Sequence, residues 1–225
     1  MHVTRGDGLA LGEWLDEYDR PLRWACADLL DKARVDDALR PSLLSVLPAR
    51  NARWAGMADD QTIWLTSAVA RGLAFPQTDP LPWAPAVLLH EVGHTAMFKL
   101  SPPALSERLL RAAPTIAHGG HDPIFASLVG VFYLRAGLSD VVDSYDCGWR
   151  SEGAKDWPGP DWSLDWSHDF AVRYATTRGD VAALVRAALN EFESAFFARE
   201  SRRRWRPWRK SENAFTIAAI WRRHR

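Results

Sequence analysis

The chain has 225 residues, 47% of them hydrophobic and 25% charged, and its 28 Lys or Arg are balanced by 28 Asp or Glu. A chain of that length and composition can bury a sizeable core, which excludes an intrinsically disordered polymer and points to one domain with an extension. No apolar run reaches membrane-spanning length, the opening MHVTRGDGLALGEW holds no long apolar segment, and two cysteines cannot build a disulfide framework. The expectation is a cytoplasmic protein without a transmembrane segment, in which Cys26 and Cys147 are free and carry no assigned role.

Taken in chain order, residues 9–38 place Leu11, Trp14, Leu15, Leu22, Trp24, Leu29 and Leu30 at helical spacing, broken near Pro21, which predicts two helices. Leu43 to Leu47 is strand-like. Arg53 to Met57 and Thr62 to Thr66 flank the polar turn Ala58, Asp59, Asp60, Gln61 and predict a hairpin. Glycine and proline punctuate Gly72 to Pro85 as a loop. A helix follows through Ala86 to Phe98, then a shorter one near Leu105 to Ala112 and a third opening at Pro123. Asp140 to Trp166, rich in Asp, Ser, Gly, Pro and Trp, predicts an irregular connection whose tryptophans cover a core or a partner helix or line a groove. Val181 to Phe197, preceded by Asp180 as a cap, predicts one long amphipathic helix. Strands followed by helices make the fold class α+β, a small mixed sheet packed on the helix of residues 86–98. The domain boundaries are 1–139 for the main unit and 140–225 for a mainly helical extension.

One run in that helix carries chemistry: His90, Glu91, Val92, Gly93, His94. Two histidines four apart project from one helical face and can hold one metal ion, while the glutamate between them sits beside a water on that ion. The pattern HExxH arises by chance in roughly one chain of this length in a hundred, so its setting matters. Here Ala86, Val87, Leu88, Leu89, Val92, Ala96, Met97 and Phe98 surround it, and burying histidines and a glutamate among them needs a compensating role. A catalytic zinc site takes a third protein ligand and keeps a position for water. His118 and His121 in AHGGHDPIF are the nearest candidates, with His168 farther on. Asp122 followed by Pro123 is a helix start, which sets His121 just before a rigid helix running through Leu134 towards a stop at Gly137. His121 is therefore the predicted third ligand, and His118, on a glycine loop, is a candidate for contact with substrate.

HEVGH followed by His121, Asp122, Pro123, Ile124, Phe125 resembles the small zincin-type metalloproteins of bacteria and phages, including the SprT-like group, in which a histidine in an HGxxF segment opens a later helix. The upstream ARWAGMADDQTIWL resembles the paired strands that precede the active-site helix there. The resemblance covers about residues 50–137 and departs at Asp122, where a glycine is common, and in lacking a cysteine-rich zinc ribbon. It implies a zincin-like fold and a metallopeptidase with one Zn2+ per chain, held by His90, His94 and His121.

In that chemistry zinc lowers the pKa of water to about 7 and polarises the scissile carbonyl, and Glu91 acts as general base and then proton donor to the leaving amine. His118, Tyr133 and Tyr145 are candidate oxyanion donors or substrate contacts. Peptide or protein substrate is expected along an edge strand, for which Thr62 to Thr66 is the candidate. Asp165 and His168 are only a weak second cluster.

The C-terminus differs in charge. From Arg199 to Arg225 ten Lys or Arg face two Glu, a local charge of +8, so the other residues carry −8. Arg202, Arg203, Arg204, Arg206 and Arg209 interleaved with Trp205 and Trp208 are candidate nucleic-acid contacts; docking on the acidic remainder of the chain is the alternative. The leading function is zinc-dependent peptide hydrolysis. The alternative is a non-catalytic nucleic-acid or protein-binding protein with a structural or vestigial metal site.

Overall fold

A computed structural model of the chain describes residues 1–7, 18–48, 55–100, 107–112, 121–139 and 162–204, with side chains as far as 201. Among these are β1 (His2–Arg5), α1 (Asp19–Lys32), β2 (Leu43–Leu47), β3 (Gly56–Ala58), β4 (Thr62–Thr66), α2 (Ser67–Ala74), α3 (Ala84–Leu100), α4 (Glu107–Ala112), α5 (Pro123–Arg135), α6 (Trp162–Ala175) and α7 (Val181–Arg204). The α+β class is the one expected, with a four-stranded mixed sheet ordered β1-β2-β4-β3.

The sheet adds one strand and corrects one expectation. β1 was not foreseen: only Val3 of its four residues is buried, so no alternation marks it, and its place comes from parallel pairing with β2, Val3 opposite Leu44. The predicted hairpin forms, Met57 opposite Trp64, and Asp59 Oδ1 closes its turn by accepting from the backbone of Gln61 at 2.8 Å and Thr62 at 2.6 Å. Its second strand is not an edge, however. β4 pairs parallel with β2 on its other side, so Thr62–Thr66 is interior and, among the described residues, the outer strand of the hairpin is β3. The physical reason is burial: Ile63 and Leu65 are fully enclosed, whereas Gly-Met-Ala has little apolar surface to hide.

Helix boundaries show where proline marks a start and where glycine misleads. Pro21 lies in the first turn of α1, where backbone N–H groups have no partner within the helix, so the expected boundary near it is a helix start, and the first of the two predicted helices falls on residues 8–17, outside the described residues. α1 stops at Lys32, Arg34 adopting φ 55, and only a short 3-10 turn at Asp37–Leu39 follows. Gly72, expected in a loop, belongs to α2, and a Cβ on it would lie 2.5 Å from Leu81 Cβ, so the residue serves close packing. The loop is confined to residues 75–83. Likewise α6 already begins at Trp162, inside the predicted irregular connection; residues 140–161 lie outside the described residues.

Local signals succeeded where caps were written plainly. Asp122 Oδ1 accepts from Phe125 N at 2.8 Å at the head of α5, Asp180 Oδ1 accepts from Ala183 N at 2.5 Å at the head of α7, and Gly137 leaves α5 with φ 78. The core is shared. α3 contributes Leu88, Leu89 and Val92, α5 contributes Leu128, Val129 and Phe132, and Phe170, Leu184 and Phe192 of α6 and α7 join the same apolar cluster. Arg135 at the end of α5 donates to the carbonyls of Ala33, Ala175, Thr177 and Gly179, joining the ends of α1 and α6 to the approach to α7. No described helix is long and apolar enough to cross a membrane.

Candidate metal centre

α3 presents His90 and His94 one turn apart, as their spacing requires. α5 is set against the same helix, because Gly93 has no side chain: a Cβ there would lie 2.5 Å from Val129 Cγ2. His121, immediately before the Asp122 cap, is thereby carried to the pair. The three Nε2 atoms stand 3.1 Å apart for His90 and His121, 3.2 Å for His94 and His90, and 3.2 Å for His94 and His121. Among the described residues this is the one group of three or more His, Cys, Asp or Glu placed to hold a metal ion.

The donor set fits such an ion. A neutral imidazole nitrogen offers either one N–H or one lone pair, so a hydrogen bond between any two of these atoms leaves the third pressed against them. A single cation accepts all three lone pairs. Tetrahedral coordination with nitrogens at about 2.0–2.1 Å sets them about 3.3 Å apart, close to the separations here. The rings are also in the ligating protonation state. Burial, then the neighbouring His94 and His121, drives the His90 pKa down to about 3; burial, then His121, drives His94 to about 4; burial lowers His121 as well. His121 is exposed while His90 and His94 are half-buried, so the cluster opens to solvent on one side.

Glu91 lies about 100° around α3 from His90 and is only 6% exposed. Burial raises its carboxyl to about 7. Its neighbour is Gly56 of the edge strand: a Cβ at that position would fall 2.8 Å from both Cγ and Oε1 of Glu91. Sequence reasoning passed over Gly56, although a glycine inside a strand is a sign of close approach by another group. The hairpin turn is tied to the same helix, Thr95 Oγ1 donating to the Asp59 carbonyl at 2.9 Å.

The other candidates fall elsewhere. Tyr133 is 1% exposed and belongs to the apolar core, about 15 Å along α5 from its start. His168 is not part of the cluster and pairs with Asp169 at 4.0 Å. His118 and Tyr145 lie outside the described residues, as do Arg206, Arg209 and the side chains of Arg202, Arg203 and Arg204. No protein-family model, curated protein or solved structure matches the chain.

The opposed titrations set a pH dependence for the metal-free protein. The histidines, lowered from 6.5, contribute stability that is complete above that pH and is lost as pH falls through about 4 and then 3. Glu91, raised from 4.5, contributes stability that is present below 4.5 and is lost as pH rises through about 7. Between these limits the unfolded chain binds protons at His90 and His94 while the native chain binds one at Glu91, so the histidines win. The unfolding temperature of chelator-treated protein should therefore fall between pH 6.5 and 4.5. Thermal melts across that interval test it, and a rising profile would mean that the three rings are not held neutral.

Proposed function

We propose that the chain is a zinc-dependent metallopeptidase. The observation that carries this reading is the convergence of three neutral histidine nitrogens within 3.2 Å, beside a buried glutamate and an open strand edge. His90, His94 and His121 would hold the zinc, a nitrogen-only set that leaves a position open for chemistry. When bound, the ion supplies Lewis-acid polarisation of a carbonyl and lowers the pKa of water towards 7.

The chain's own residues supply the rest. Glu91 takes the proton of the attacking water on a carboxylate oxygen and returns it to the departing amine. A group that must both accept and give a proton works best with a pKa near the working pH, and burial moves Glu91 there. A cation at the histidines pulls in the opposite direction and favours the ionised form needed first.

The edge strand suits an extended peptide. Ala55 O accepts from Thr66 N, and Asp59 N donates to Thr62 O, so the alternating peptide groups of Gly56 and Ala58 turn away from β4, to the side where no described strand pairs. A substrate strand added there gains backbone hydrogen bonds and passes Glu91 at Gly56. Gly56→Ala should then reduce cleavage by roughly 10²-fold while leaving metal content unchanged, because the added methyl forces the Glu91 carboxylate from its place. Metal analysis and steady-state kinetics on the purified variant check this; wild-type turnover would show that the carboxylate needs no such clearance. The function itself is tested by cleavage of a peptide library with zinc-loaded protein before and after Glu91→Gln.

A further inference from the structure

We infer that Phe125 is the positioning residue that holds all three histidine rings of the metal centre in register, an inference that rests on the metal centre proposed above. Its ring is 2% exposed and touches each histidine in a different way. It stacks on His94 with centroids 4.2 Å apart and planes at 21°. It meets His90 edge-on at 5.0 Å and 78°, and His121 edge-on at 5.2 Å and 77°. Stacked and edge-to-face arrangements are the preferred geometries of aromatic pairs.

Both helices fix where that ring lies. Phe125 N donates to Asp122 Oδ1, which pins the residue in the first turn of α5, one turn beyond His121. From the other side, a Cβ on Gly93 would come within 3.2 Å of Phe125 Cε2, so the glycine of HEVGH makes room for it. One side chain thus spans the gap between the helix bearing two histidines and the segment bearing the third.

The consequence concerns affinity. A histidine side chain is broad about its terminal torsion, and a ring that must be oriented at the moment of binding costs ordering entropy. Metal-binding histidines ordinarily meet that cost through a partner on the far ring nitrogen, and loss of such a partner weakens metal binding by about 10- to 100-fold. Here a packed aromatic ring does so for three ligands at once.

The test compares Phe125→Leu and Phe125→Met with Val129→Ala, which thins the same α3–α5 contact beneath Gly93 but removes no aromatic ring. Zinc affinity is measured by chelator competition on the full chain, alongside the unfolding temperature of the metal-free protein and the visible bands of the cobalt-substituted form. Both Phe125 variants should bind zinc about 10- to 100-fold more weakly and shift the cobalt bands. Val129→Ala should lose unfolding temperature yet keep wild-type affinity and bands. Wild-type affinity in both Phe125 variants, or an equal loss in Val129→Ala, overturns the assignment while leaving the metal centre standing. Absence of zinc from well-folded wild-type protein would remove the centre and the assignment together.

Discussion

Glu91→Gln should leave fold and metal content unchanged while lowering peptide hydrolysis by about 10²- to 10⁴-fold, the usual contribution of a positioned general base. The substitution keeps the length and shape of the side chain, so it still fits against Gly56, whose Cβ position is only 2.8 Å from Glu91 Cγ. What it removes is the ability to take up a proton and return it. Glutamine cannot be ionised, so the buried carboxylate, a destabilising charge above pH 7, is also gone, and the variant should not melt lower than wild type at alkaline pH. Metal analysis, thermal melts and a cleavage assay on the same preparations separate these effects. Cleavage at the wild-type rate with zinc present would remove Glu91 from the mechanism.

Replacement of His121 by alanine should have an equally large effect on the metal itself. His90 and His94 come from one helix and are placed by its periodicity, but they supply only two ligands. The third arrives from the far end of a separate segment, held by the Asp122 cap and by the packing of α5 on α3. Zinc content of protein purified without added metal should drop from about one per chain to near none, because a catalytic site ordinarily takes three protein ligands. Saturating zinc should also raise the wild-type unfolding temperature, by about 2.7 kcal/mol of stability at a hundredfold excess over Kd, and should not do so in the variant. Elemental analysis and melts with and without zinc report the two outcomes. Undiminished zinc in His121→Ala would mean that another residue completes the site.

Short-range chemistry was legible in the residues alone. HEVGH needs only the helical repeat to bring two imidazoles to one face, and Asp122-Pro123 needs only the rules of helix starts to place His121 at a rigid boundary. Asp180, Gly137 and the Asp59 turn were readable for the same reason: each acts on backbone groups within a few residues of itself. The α+β class followed from the order of such segments.

Tertiary structure decided what depends on distant neighbours. Strand order put β4 inside the sheet and made β3 the edge, because hydrophobic burial ranks strands against one another and β2 competes for a place that local pattern assigns to solvent. Gly72 looked like an interruption, since its effect depends on what packs beside it. The meeting of Gly56 with Glu91, the three contacts of Phe125 and the displaced titration of the histidines lie beyond periodicity altogether. Each arises only when separate elements are pressed together, for desolvation and steric exclusion act between surfaces that the chain brings into contact by folding.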